Sequence, residues 1–284
     1  MESSNLLISE IMKDTSRFNA YLRLFQQCFP GASKYTYKYL KWLYLDNPYG
    51  TAIGFDAIAD NHVVAHYAVI PFPAIINGKE CLACWSLNTA THPNYQGRGL
   101  FVRLADLTYD LAKKLGCVAV IGIANKNSTP GFVNKLNFKL LGQLKTRFGY
   151  FKKISLTQQV CSYRKWPEDL LKWRLSNPSK SYYYRLLDGH KRIYTHTPPF
   201  KTPVVLGCCD KDVSLPESVA RLSYSSYFQP SFFVSYNYNA SGVCFELSQR
   251  LLPSPWNVIY RDLNSASVIS SLDIGICGLD SDTF

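Results

Sequence analysis

His92-Pro93-Asn94-Tyr95-Gln96-Gly97-Arg98-Gly99-Leu100-Phe101 stands between a strand-like run ending at Thr91 and a helical pattern starting near Gly99. Leu100, Leu104, Leu107, Leu111 and Leu115 then fall at steps of three and four, which gives a helix with one apolar face turned toward a sheet. Two glycines let the backbone come close to a ligand. The first free N–H groups of the following helix, at its positive dipole end, would then point at an anion. The stretch reads as a pyrophosphate cradle, or as a tight strand-to-helix turn in which glycine serves geometry alone.

Upstream, Phe18 to Cys28 reads as a helix ended by Pro30-Gly31, and Tyr35 to Leu45 as a second ended by Asn47-Pro48. A meander follows. Strands are expected near Gly54 to Ala59 and His62 to Ile70, joined at Asp60-Asn61, then Pro73 to Ile76 and Lys79 to Thr91, joined at Asn77-Gly78. Downstream, Gly116 stops the long helix, Cys117 to Ala124 reads as a buried strand, Asn127 to Leu136 as a short helix and Phe138 to Phe148 as a further strand. A dinucleotide fold would place GxGxxG after its first strand, with an acidic residue about twenty positions on. Here four strands come first.

The order of elements and the loop together resemble the GNAT N-acetyltransferase superfamily. Its acetyl-coenzyme A loop runs Arg or Gln, two residues, Gly, one residue, then Gly or Ala; Gln96 and Gly99 match, and Phe101 stands where the small residue is expected. Asn125, Asn127-Ser128 and Lys135-Leu136-Asn137-Phe138 are similar to the family's Asn-x-x-Ser and Lys-Leu-Gly-Phe segments. The likeness covers residues 18 to 148. It implies an α/β (α+β) fold with a mixed, largely antiparallel sheet flanked by helices. It also implies acetyl-CoA as acyl-donor cosubstrate, bound by Thr89, Ala90, Thr91, Gln96, Gly97, Arg98, Gly99, Leu100, Phe101, Asn127 and Ser128, with Arg98 and Arg103 as phosphate contacts or solvated positions. Of the two asparagines, Asn127 fits the cofactor contact better, and a helix cap is the plainer role for that region.

Acyl transfer to an amine needs a base, because an amine of pKa about 10.4 is almost wholly protonated at pH 7. The strand before the loop has no Asp or Glu after Glu80. By residue type the catalytic candidates are His92, His66 and Asn88, and a strand-end or core histidine is the simpler reading of the first two. In this family backbone N–H groups of the splayed strand, here about Asn88 to Thr91, hold the oxyanion, and a tyrosine protonates the departing thiolate. Val133 occupies that tyrosine's position.

The second half repeats part of the first. Leu40-Lys41-Trp42, Asn47-Pro48 and Asp60-Asn61-His62 return as Leu171-Lys172-Trp173, Asn177-Pro178 and Asp188-Gly189-His190, roughly 130 residues later. The two-glycine loop does not return. The chain thus resembles a tandem GNAT protein: residues 1–150 form the acetyl-CoA-binding domain, and 151–284 a smaller, degenerate GNAT-like domain shaping the acceptor cleft. Its Tyr182-Tyr183-Tyr184-Arg185 and Lys191-Arg192 could face a sugar or nucleotide, or simply pack as strands. A small-molecule amine acceptor is expected, with an amino sugar of surface polysaccharide synthesis as the first choice, because the Lys-Trp and Asn-Pro helix resembles GNATs of those pathways. The alternatives are a non-catalytic acyl-CoA-binding protein and an aminoacyl-tRNA-dependent transferase.

Composition bounds these readings. At 47% hydrophobic and 18% charged residues, the 284-residue chain is globular rather than disordered. The net charge of +11 suits a phosphate-rich ligand; the basic residues form no run of five or six, and Asp273, Asp280 and Asp282 give an acidic tail, so nucleic acid is not the expected partner. No apolar stretch approaches the roughly 20 residues of a membrane span, and a cytoplasmic protein is expected. Nine cysteines, an odd number, read as reduced thiols. Cys81 and Cys84 have CxxC spacing, but on a strand they face opposite sides, so no metal site is expected.

Overall fold

The computed structural model describes residues 6–197, 202–222, 229–251, 254–264 and 273–281; Asp282 of the expected acidic tail lies outside them. The first half contributes β1 (Leu7–Glu10), α1 (Phe18–Cys28), α2 (Tyr37–Tyr44), β2 (Ile53–Ala59), β3 (His62–Ile76), β4 (Lys79–Thr91), α3 (Leu100–Lys114), β5 (Cys117–Ala124), α4 (Thr129–Lys135), β6 (Lys139–Gln143) and β7 (Lys145–Leu156). The second contributes β8 (Ser162–Arg164), α5 (Glu168–Leu175), β9 (Tyr183–Leu187), β10 (His190–Thr197), β11 (Thr202–Asp210), β12 (Ala220–Arg221), β13 (Ser231–Tyr236), β14 (Tyr238–Glu246), β15 (Asn257–Asp262) and β16 (Ile274–Cys277).

Local chemistry sets the boundaries. Asp60 and Asn61 turn at φ +48° and +61°, Asn77 and Gly78 at +50° and +75°, the conformations that a two-residue hairpin requires. Thr36 caps α2, its Oγ1 accepting from the Tyr39 N–H at 3.2 Å. Pro71 and Pro73 do not break β3 as expected. The β2 ladder ends at Ile53↔Val69 and the β8 ladder begins at Ala74↔Arg164, so both prolines sit where that edge of β3 needs no N–H. The expected strand 138–148 is divided into β6 and β7 at Leu144, whose N–H goes to the Trp256 carbonyl at 2.9 Å.

Strands β2, β3 and β4 form an antiparallel meander, β5 joins β4 in parallel, and β5, β15 and β6 continue antiparallel. The same plan recurs: β9, β10 and β11 are antiparallel, β13 joins β11 in parallel, and β13, β7 and β14 continue antiparallel. In each copy the strand after the parallel pair comes from the other half of the chain. The expected boundary near residue 150 falls inside β7, which pairs wholly with second-half strands, and β15 returns to the first. Through β16 and β8 all sixteen strands form one mixed, mostly antiparallel sheet.

The repeat seen in sequence is a pseudo-twofold contact. Trp42 of α2 and Trp173 of α5 stack with centroids 4.8 Å apart, and each indole N–H donates to the other's backbone carbonyl, at 2.7 and 2.9 Å. Asn47 and Asn177 build the same turn, each side-chain oxygen accepting from the N–H two residues on. Two cores flank the first-half sheet: α1 and α2 cover one face, with Leu40, Ala68, Trp85 and Ile121, and α3 and α4 the other, with Val69, Leu104, Val120 and Phe132. The Tyr182–Arg185 cluster packs as strand: Tyr182, Tyr183 and Arg185 are buried, and Arg192 donates to the Phe151 and Lys152 carbonyls.

Candidate active site

β4 and β5 run in register at Cys84↔Val120 and Trp85↔Ile121, and there their ladder stops, while β5 continues along β15 to Asn257↔Ala124. Beyond Trp85 the two strands are apart. On its other edge β4 carries a bulge: Leu87 pairs with Ala68 and Ala90 with His66, so Asn88 and Thr89 together stand opposite Tyr67. Asn88 adopts φ +48°, a conformation that asparagine tolerates. The separation opens a cleft of about 310 Å³ through the sheet. Ser86, Gly122, Phe132 and Ile259 line it toward α3 and α4; Phe29, Tyr35, Trp85 and Trp256 line it toward α1 and α2.

No residue of the glycine loop lines this cleft; the loop leads into α3, whose Phe101 packs against the cleft-lining Phe132. Pro93 to Tyr95 form a tight turn, Gln96 returns its Nε2 to the Thr91 carbonyl at 3.2 Å, and Arg98 reaches the Asn94 carbonyl and lies over the Tyr95 ring at 4.7 Å. Gly97 and Gly99 adopt φ +76° and +72°, and no atom lies within 4 Å of where a Cβ would project from either. Glycine is required there by backbone conformation, and the space beside it stays open. Gly99 is the N-cap of α3, whose first turn holds no acidic residue, so its dipole is uncompensated. Phe101 packs edge-on against Phe132 at 5.1 Å and fills the room that Gly131 leaves, which explains a large ring where the family carries a small residue.

Thr89 and Asn88 line the cleft, while Ala90 and Thr91 are held in the β3 ladder. Ser128 lines it as well. Of the two asparagines after β5, however, Asn125 and not the favoured Asn127 lines the cleft; both are exposed. Asn125 Oδ1 accepts from the N–H groups of Asn127 and Ser128, both at 2.9 Å, so it shapes the turn as well as facing the cleft. His92 is not in the cleft. Its Nδ1 accepts from the Asn94 N–H at 3.1 Å and caps the turn, and its ring faces a separate hollow beside Arg23 and His62. His66 is sealed behind Tyr44 and touches no cleft surface. Val133 is half-buried and offers no hydroxyl; Tyr35 brings one to the cleft from the opposite face.

Sequence reasoning expected the second half to shape the cleft but named neither Trp256 nor Ser281, the second-half residues that line it. Ser281 lines the cleft, delivered by a segment that Arg174 clamps through the Leu279 and Ser281 carbonyls, at 2.9 and 2.6 Å. Asp280 is a correction to the acidic tail. It is buried, accepts from the Cys277 N–H at 2.8 Å, and lies 3.5 Å from the guanidinium of Arg164. Cys84 meets Cys117 in the α3-side core while Cys81 packs on the other face, and no cluster of metal-ligating side chains occurs among the described residues. No helix among them is long and apolar enough to cross a membrane.

The acetyltransferase (GNAT) domain family matches residues 12–141. A GCN5-related N-acetyltransferase from Kribbella flavida superposes with a TM-score of 0.61 at 12% identity, over 93% of this chain and 72% of that one. One from Anabaena variabilis gives 0.61 at 12%, over 91% and 74%, and a probable N-acyltransferase from Enterococcus faecalis gives 0.57 at 12%, over 92% and 73%. No curated protein matches the chain. The splayed β4 and β5 and the glycine loop capping α3 both fall within residues 12–141, the part of the chain that matches the acetyltransferase (GNAT) domain family.

Proposed function

We propose that this protein is an acetyl-CoA-dependent N-acetyltransferase acting on a primary amine of a small molecule. The observation that carries the reading is the pair of left-handed glycines at the N-terminus of α3, together with a cleft opened by the parting of β4 from β5. The residues suit the donor. Gly97 to Leu100 present backbone N–H groups at an uncompensated helix N-terminus to a pyrophosphate, with Arg98 and Arg103 adding charge, and Asn125 and Ser128 flank the path into the cleft. Acetyl-CoA supplies an activated acyl group. The amine nitrogen forms the new C–N bond as the C–S bond breaks; the amine loses a proton to solvent and the thiolate regains one.

A thiol of pKa about 8.5 is a tolerable leaving group, so Val133 in place of a tyrosine does not bar transfer. The bulge at Asn88 and Thr89 supports the expected oxyanion role for that backbone, because it takes those residues out of the regular ladder. Trp256 and Ser281 in the cleft lining support a second half that shapes the acceptor side. The amino-sugar expectation rests on the helix motif alone.

Calorimetric titration with acetyl-CoA and with desulfo-CoA tests the reading, beside Gly99→Glu. A β-carbon at φ +72° costs about 1–2 kcal/mol, and an acidic side chain there repels phosphate. One site per chain, lost in the variant, with release of CoA once an amine is added, is the expected result. Binding without release under any amine points to the acyl-CoA-binding alternative, and no binding at all points to the tRNA-dependent one.

A further inference from the structure

One cleft side chain has its polarity fixed from behind. On the sheet face covered by α1 and α2, Asp56 of β2 and His66 of β3 are direct cross-strand partners, both sealed from solvent. Asp56 Oδ2 accepts from the Tyr21 hydroxyl at 2.8 Å and from the Arg17 guanidinium at 3.0 Å, and Oδ1 lies 2.7 Å from His66 Nδ1. A carboxylate so engaged only accepts, so Nδ1 carries the hydrogen. Nε2 lies 2.7 Å from the Tyr44 hydroxyl, and with Asn88 donating to that oxygen the hydroxyl hydrogen is left for the ring nitrogen. Toward Asn88 the Tyr44 oxygen has only lone pairs to offer. The carboxamide turns its NH2 to it, at 3.1 Å. The consequence is that Asn88 Oδ1 is turned away from Tyr44 to the other cleft-lining tyrosine, Tyr35, whose hydroxyl donates to it at 3.5 Å, a long bond that an incoming amine can replace.

An amine brings N–H donors and needs an acceptor where it docks. Among the described lining residues none carries a carboxylate, and the one charged side chain is Lys34. A polycationic acceptor would enter without counter-charges. Toward α1 and α2 the rings of Phe29, Tyr35, Trp85 and Trp256 stand together beside Lys34, a surface that suits an apolar body better than the many hydroxyls of a sugar.

We propose that Asn88 Oδ1 docks the acceptor amine, that Asp56, His66 and Tyr44 are its positioning chain, and that the acceptor is a primary monoamine on an aromatic or alkyl body. This rests on the acetyltransferase reading above. Asn88 touches the substrate; Tyr44 and His66 act through it.

CoA release measured with 2-phenylethylamine and with glucosamine, beside calorimetry of acetyl-CoA binding, tests the proposal in the wild type, Tyr44→Phe and Asn88→Gly. The wild type should favour 2-phenylethylamine in kcat/KM by about tenfold or more. Tyr44→Phe keeps the ring and removes the lone pairs that orient Asn88. Its KM for 2-phenylethylamine should rise about tenfold, as for one lost hydrogen bond, with kcat within about twofold and acetyl-CoA affinity unchanged. Asn88→Gly tolerates the backbone conformation, leaves the buried chain intact and should show the same split. A KM unchanged in both variants overturns the docking role, as does a loss in kcat and acetyl-CoA affinity alike, which is what a merely structural role would give. Preference for glucosamine, or no turnover of 2-phenylethylamine by a wild type that binds acetyl-CoA, overturns the acceptor class. A wild type that binds no acetyl-CoA overturns the acetyltransferase reading instead.

Discussion

Arg164 is a cation held among rings. Its guanidinium lies 4.1 Å from the Phe72 centroid, 4.9 Å from Trp85 and 5.1 Å from Trp166, and its Nε faces Asp280 Oδ1 at 3.5 Å, a charge pair without a hydrogen bond. Burial outweighs the attraction on both sides. It pushes the Asp280 carboxyl above the usual carboxylate range despite the nearby arginine, and brings Arg164 down to about 10. A carboxyl whose folded pKa is raised holds its proton longer in the folded state, so its contribution is complete below about pH 4 and is lost as pH rises through the folded value. Asp280→Asn removes that slope while keeping an oxygen for the Cys277 N–H. In thermal melts the variant should therefore gain on the wild type between about pH 4 and 7. If it loses ground instead, the pull of Arg164 outweighs burial. Nothing near Asp280 in sequence marks it as buried. Two acidic neighbours and a chain end read as solvated, and the partner that decides the matter is 116 positions away, at Arg164.

Elements built from one amphipathic face were legible. The pattern over Phe18 to Cys28 places α1 at its observed bounds, and the leucines after Gly99 place α3 within a residue, because burial of one face imposes the period. Repeat signals were legible for the same reason, since Trp42 and Trp173 answer each other across α2 and α5. Each of these bonds removes a buried carbonyl's need for water, and the stacked rings add about 0.5–1.5 kcal/mol. Trp42→Phe and Trp173→Phe should each cost about 1–3 kcal/mol in urea unfolding, as the partner carbonyl is left unpaired. A double-mutant cycle should return coupling of about 0.5–3 kcal/mol; strict additivity would mean that the two helices are held by their other contacts. Less legible were the features that depend on pairing. The β4 bulge and the ends of the β4–β5 ladder follow from which strand lies alongside, and periodicity along one segment carries no such information.

At the scale of the whole molecule, the exchange of β7 and β15 decides how the chain can fold. Val258, Ile259 and Tyr260 of β15 are almost wholly buried between β5 and β6, so the first copy is complete only when the chain's last quarter has come back to it. The second copy in turn needs β7, whose Thr146 to Gly149 pair with Val234 to Ser231 of β13. The strand expected over Phe138 to Phe148 carries no mark of which copy it completes, and residues 257–262 drew no reading at all, which is why a cut near residue 150 looked natural. A chain opened between Gln158 and Gln159, in the exposed turn after β7, separates the halves without cutting a strand. Residues 1–158 alone leave β5 and β6 with open facing edges and β7 without partners, and residues 159–284 alone lack the strand between β13 and β14. Each half expressed by itself should therefore aggregate or remain loosely packed, with poor near-ultraviolet dichroism. Co-expressed, they should purify as a 1:1 complex that binds acetyl-CoA with the affinity of the intact chain, because each supplies the other's missing strand. A first half that folds and binds acetyl-CoA alone would make β15 dispensable, and would restore the two-domain division that the pairing argues against.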